Sequence, residues 1–227
     1  MIFTHYTFSS IIDLNTTSVQ RIVFEDPSTT GKMISELKEQ INGYEGSFSL
    51  FENNHYLDMS KYVSLIIDPF SIDLNSKEIL SGLYGSIANH IECGDHFIHI
   101  RNAISTLVSE VINAASEVEM MITNEDPTTP SLLKALAINI MDSDNLGDKI
   151  CEYSRLLFAY SNKKLLIVVN LDQFMSIDEY NACIHQLLYQ HTPIILIEST
   201  FKNDVPTKII DQDLCEINCK FNGPESY

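Results

Sequence analysis

Lys164-Leu165-Leu166-Ile167-Val168-Val169-Asn170 is an unbroken apolar run bounded by a lysine pair and an asparagine. Apolar on both faces, it reads as an interior strand of a parallel sheet. Ser176 with Glu179 then predicts a capped helix carrying Tyr180, Cys183, Ile184, Leu187 and Leu188 on its inner side. Pro193-Ile194-Ile195-Leu196-Ile197-Glu198 follows as a second buried strand. Strand, helix and strand make a right-handed βαβ unit, and the fold class is therefore α/β.

Upstream, Ser18 to Glu25 is rich in β-formers and predicts a strand, and Met33, Ile34, Leu37 and Ile41 predict a helix. Between them lies Asp26-Pro27-Ser28-Thr29-Thr30-Gly31-Lys32-Met33, where a nucleotide-binding protein carries its phosphate loop. Gly31 and Lys32 fit the pattern G-x-x-x-x-G-K-[ST], whereas Asp26 replaces the first glycine and Met33 the Mg²⁺-binding hydroxyl. The second metal position is altered too, since the central strand ends in Asn170 and the next acid is Asp172. A nucleotide-binding architecture put to another use is expected.

Phe48 to Phe51 and Tyr56 to Leu57 flank Glu52-Asn53-Asn54-His55, read as a hairpin, and Val63 to Asp68 is a further strand stopped by Pro69. These strands are expected to join the βαβ unit in one mixed, partly parallel sheet. Asn75 with Glu78 suggests a capping box ahead of Ile79, Leu83, Ile87 and Ile91. A second amphipathic helix is predicted from Arg101 to Met121, a short one from a Thr129 cap to Leu136, and another from Leu146 to Tyr160. Residues 1–74 and 141–218 thus form a discontinuous head, residues 75–140 a helical extension, and residues 219–227 a flexible tail.

The chain has 227 residues, 44% of them hydrophobic and 20% charged, enough for a full core. No apolar run approaches a membrane span, and the start lacks a basic, then apolar, leader, so a cytoplasmic protein without membrane contact is expected. Five scattered cysteines fit reduced thiols, with Cys215 and Cys219 read as packing residues one helical turn apart. The net charge of −17 argues, taken alone, against a polyanionic partner.

Glu117, Glu119, Asn124, Glu125 and Asp126 gather hard oxygen donors at a helix end and turn. That donor set suits Ca²⁺ better than Mg²⁺, although no EF-hand loop is present. Cys93-x-x-His96-x-x-His99 has zinc-type ligands but no distant fourth.

Five segments carry a resemblance: Ile67 to Ser76, Leu132 to Leu136, Asn162 to Asn170, Pro193 to Glu198, and Ile209 to Asp213. In order and spacing they resemble the CRISPR-associated adaptation protein of type II-A loci, the Csn-two family, over roughly residues 60 to 215. The resemblance implies a phosphate-loop NTPase-like head without NTPase activity, plus a helical extension. It further implies a homotetrameric ring that binds Ca²⁺ and takes double-stranded DNA ends without sequence preference. Such rings support spacer acquisition beside the CRISPR integrase subunits and the effector nuclease.

Carried to this chain, the resemblance points to Glu119, Glu125, Asp126 and Glu117 as calcium ligands and to Lys163, Lys164 and Lys134 as DNA contacts. Lys32, Lys149 and Arg101 are further candidates on position. No catalytic residue is implied. The alternatives are a divergent nucleotide hydrolase using Lys32 and Asp172, and a structural interaction protein without nucleic-acid binding.

Overall fold

A computed structural model describes residues 1–116 and 128–220. The chain divides into two compact units, Met1–Leu74 with the chain from Met141 onward, and Asn75–Ile140.

In the first unit, β1 (Ile2–His5), β2 (Ile12–Asp13), β3 (Val19–Phe24), α1 (Pro27–Ile41), β4 (Phe48–Glu52), β5 (His55–Leu57), a single turn α2 (Met59–Tyr62) and β6 (Val63–Ile66) follow in order. The second unit holds α3 (Lys77–Glu92), α4 (His96–Ser116) and α5 (Thr129–Ala135). The chain returns to the first through α6 (Leu146–Tyr160), β7 (Leu165–Val169), α7 (Ile177–Gln190), β8 (Ile194–Glu198), β9 (Thr207–Ile210) and β10 (Glu216–Cys219).

The strands form two sheets rather than the single one expected. The larger has the order β10-β9-β3-β8-β7-β6, and the smaller the order β2-β1-β4-β5. In the larger sheet β6, β7, β8, β3 and β9 run parallel, with Val63 opposite Leu165, Leu166 opposite Ile194 and Val19 opposite Ile194. Only β10 runs against its neighbour. All of β7 and β8 is buried, as an apolar run with no polar face requires. The smaller sheet is antiparallel throughout. Its residues Phe3, Phe48 and Leu50 join Leu37 of α1 and Ile22, Ile167 and Ile197 of the large sheet in one core cluster.

Several local expectations need correction. The segment read as a loop at Asp26 to Met33 is helical from Pro27, because Asp26 caps it and proline is already set for the first helical position. Gly31 and Lys32 therefore ride on the helix, and a Cβ on Gly31 would meet nothing within 4 Å. Asn75 makes no capping box with Glu78: Ser76 is the N-cap, and the Asn75 amide instead exchanges two hydrogen bonds with the backbone of Ile140, at 3.0 and 2.7 Å. α4 starts at His96 rather than Arg101, and Thr128, not Thr129, caps α5. Cys219 ends a strand, so Cys215 and Cys219 share no helix and the tail does not begin at 219.

Candidate nucleic-acid interface

In a parallel sheet, ligands bind outside the carboxyl ends of the strands, where helix N-termini present backbone N–H groups. In this chain those donors are already engaged. The Asp26 carboxylate accepts the N–H of Ser28 at 3.2 Å and of Thr29 at 2.9 Å, and the Thr29 hydroxyl at 2.7 Å. These bonds, led by the Thr29 hydroxyl, hold the Asp26 carboxyl below its ordinary range. An anion approaching α1 meets a carboxylate instead of a cradle.

The same edge is acidic at every parallel strand. Asp26 follows β3, Asp68 follows β6, Asp172 follows β7, Glu198 closes β8 and Asp211 follows β9. After β7 the chain turns through Asn170 in the left-handed region (φ 52°) into a 3-10 turn, Leu171–Gln173. Asp172 lies in that turn with its side chain only 6% exposed. Its Oδ2 accepts the Thr200 hydroxyl at 2.6 Å and lies 3.4 Å from Lys202 Nζ.

Beneath it Arg21, fully buried in β3, reaches across the sheet. Its Nε donates to Glu198 at 2.6 Å, while its terminal nitrogens donate to Asp204 and to the Tyr180 hydroxyl, each at 2.6 Å. Burial pushes the Glu198 carboxyl above its ordinary range despite the Arg21 charge beside it. This network braces the sheet and leaves its guanidinium no free face for a ligand.

The amino ends of β6 and β7 differ in sign. Lys163 and Lys164 lead into β7, and the Lys164 backbone N–H donates to Tyr62 O at 2.7 Å, across to the start of β6. Lys163 Nζ donates to Ser60 O at 3.2 Å. Lys164 pairs with Glu52 and stands 5.4 Å over the Tyr62 ring. The β6–β7 register thereby brings Lys61 to the same end, its ammonium 3.5 Å from Asp58 and largely exposed. Lys61 went unread in the sequence, where a hundred residues separate it from the lysine pair; only strand pairing reveals it. A cavity of about 360 Å³ adjoins Lys163 and Lys164, walled by Leu14, Asn15, Asn53 and Phe158.

The other candidates are dispersed. Lys32 is exposed on α1, which starts from the opposite, carboxyl edge of the sheet. Lys149 is bound to Asp142 at 2.7 Å, with its side chain 18% exposed. Within the second unit, Lys134 is exposed on α5, and Arg101 lies 5.8 Å over the Phe97 ring on α4. Glu117, Glu119, Glu125 and Asp126 lie outside the described residues. Among the described residues no cluster of three or more histidine, cysteine or acidic side chains is arranged for a metal, Cys93, His96 and His99 included.

Helix α4 buries none of its side chains and exposes Ile98, Leu107 and Val111. Beside it, Ile91, Phe97, Ile104, Val108 and Pro130 wall a cavity of about 500 Å³ within the second unit. In the first unit, Cys151 and Cys183 face each other as free thiols, their sulfurs 3.7 Å apart. The contact with Cys151, then burial, pushes the Cys183 thiol far up, which suits packing rather than nucleophilic chemistry. No helix among the described residues is long and apolar enough to cross a membrane.

Comparison with known proteins supplies the family. Residues 40–214 match the family model described as CRISPR-associated protein (Cas_Csn2). A CRISPR-associated protein Csn2 from Streptococcus agalactiae is 21% identical over 194 residues, covering 85% of this chain and 87% of the relative. Another protein of that name, from Enterococcus faecalis, is 22% identical over 151 residues, covering 66% of this chain and 69% of the relative. With a match that spans most of the α/β unit and the whole helical unit, the chain belongs to the Csn2 family, the CRISPR adaptation proteins of type II-A loci.

Proposed function

We propose that this chain supports spacer acquisition as a non-catalytic ring of four copies that binds double-stranded DNA ends without sequence preference and depends on Ca²⁺. The observation that carries the reading is the segregation of charge along the large sheet. Acids occupy every carboxyl-end exit, whereas Lys61, Lys163 and Lys164 share the amino end. A chain of net charge −17 repels DNA at long range. Grouping Lys61, Lys163 and Lys164 at one edge gives duplex phosphates a local target, and repetition in a ring presents that target around the helix.

Self-assembly is supported by α4, whose Ile98, Leu107 and Val111 stand exposed among the described residues. The calcium dependence rests on the donor set Glu117, Glu119, Glu125 and Asp126. The ion's role is to fix the shape of the ring. The head is read as a phosphate-loop NTPase-like scaffold whose anion site has been closed. A nucleotide hydrolase built on Lys32 and Asp172 is disfavoured, because Asp26 occupies the N–H groups that a phosphate needs. In the cell the ring would act beside the CRISPR integrase subunits and the effector nuclease.

Gel-shift measurements with linear and covalently closed duplexes, with Ca²⁺ and with a chelator, test the reading alongside light scattering. Retention of linear DNA by a tetramer, abolished on chelation, is expected. A monomer that leaves linear duplex unshifted in the presence of Ca²⁺ would sink it.

A further inference from the structure

The exits of β6 and β7, at the acidic edge, carry apolar side chains that the fold leaves in water. Ile67 is 43% exposed, Phe70 63%, Phe174 45% and Ile177 59%. Two of them meet directly: the Phe70 and Phe174 rings pack edge to face, with centroids 5.2 Å apart. Ile67 precedes the turn that bears Phe70, and Ile177 opens α7 just after Phe174. Two ordered turns hold this patch. Asp68 accepts the Phe70 N–H at 3.0 Å, and the Ser176–Glu179 capping box fixes the start of α7.

The surroundings carry one sign. Asp68, Asp178 and Glu179 are exposed, and neither the stretch 66–74 nor the stretch 170–182 contains a lysine or arginine. Lys202, in the neighbouring loop, is engaged by Asp172 and by the Tyr180 ring at 3.7 Å. An aromatic anchor inside an acidic rim selects against DNA, whose phosphates the rim repels. It also selects against a self-complementary contact between two copies, which would set Asp68 and Asp178 against acids of their own kind. Charge complementarity leaves a basic protein.

We infer that Phe70, Phe174 and Ile177, rimmed by Asp68 and Asp178, form a docking surface for a protein segment that presents an apolar side chain flanked by lysines or arginines. The apolar group would cover the ring pair while its flanking cations meet the carboxylates. The surface lies apart from the lysine edge, so the inference does not depend on DNA binding.

Fluorescence polarisation of short labelled peptides against the full chain tests it. Three peptides serve as probes: lysine-rich with a central Leu-Phe, the same with Ser replacing Leu and Phe, and the same with Glu replacing the lysines. The first is expected to bind at least about tenfold more tightly than either other, a difference of about 1.4 kcal/mol. Phe70→Ser with Phe174→Ser should abolish that preference, and Asp68→Asn with Asp178→Asn, which retains the Asp68 cap, should reduce its salt dependence. Equal binding of the first two peptides, or an unchanged preference in the Phe70→Ser/Phe174→Ser protein, would overturn it. So would a drop in assembly state of that variant in sedimentation velocity, which would assign the patch to copy-to-copy contact. Linear-DNA binding by the variant should stay at the parent level.

Discussion

Asp26 and Thr29 close the N-terminus of α1 on itself: the carboxylate accepts the Thr29 backbone N–H at 2.9 Å and its hydroxyl at 2.7 Å. A phosphate would have to displace a group of its own sign from donors already satisfied. MgATP at millimolar concentration is therefore expected to leave the melting temperature unchanged. Asp26→Gly should lower the melting temperature modestly through loss of the cap, without creating nucleotide binding. A stabilisation by MgATP that disappears in Lys32→Ala would contradict this.

Arg21 joins β3 to β8 through Glu198 and to the 199–206 loop through Asp204. Arg21→Met leaves the buried Glu198 carboxylate without its cation, a change that typically costs about 3–5 kcal/mol. Urea denaturation should show a fall of that order in the unfolding free energy. Arg21→Met with Glu198→Leu should recover much of it, because the uncompensated charge is gone. Equal instability of the single and double variants would mean that packing, not charge, governs the site.

Glu216 ties β10 to the Ser9–Ser10 turn and to Lys208. Burial alone would raise its pKa, but hydrogen bonds from Lys208, Ser10 and Asn218 bring it down to about 2. A carboxyl whose folded pKa is depressed stabilises the fold above its unfolded pKa and loses that contribution as pH falls towards the folded value. Stability should therefore decline between about pH 4.5 and pH 2. Glu216→Gln should flatten that decline by up to about 3 kcal/mol. An unchanged acid limb in Glu216→Gln would show that other carboxylates govern it.

Legibility in the sequence followed how local the signal was. The runs at β7 and β8 were readable because strands buried on both faces need no partner to explain them. The hairpin at Asn53 and Asn54, with φ of 49° and 65°, was readable from its turn residues. By contrast, β9 places Lys208 inside a strand, and that lysine makes sense only beside Glu216 and Ser10. The split into two sheets depends on β1 pairing with β4 rather than with the parallel strands. The Gly31-Lys32 motif misled because its residues matched a loop, while Asp26 and Pro27 had already committed the backbone to helix. At the candidate interface, adjacent Lys163 and Lys164 were legible, whereas Lys61 joined them only through the β6–β7 register.

That register decides the DNA experiment. Lys163 and Lys164 stand together at the amino edge, one held by Ser60 O and the other by a partly exposed ion pair with Glu52. Exposed pairs of that kind are worth roughly 0–1 kcal/mol, so a phosphate can compete for the ammonium. Lys149 is different, since its side chain is mostly covered and bound to Asp142 at 2.7 Å. Replacing Lys163 and Lys164 by alanine should weaken binding of linear duplex uniformly across sequences. It should also reduce the log-log salt slope by about 0.9 for each phosphate that is no longer neutralised. Lys61→Ala should produce a smaller change of the same kind, and Lys149→Ala none. If the slope is unchanged in the double variant but falls in Lys134→Ala or Arg101→Ala, the DNA-binding surface belongs to the helical unit instead.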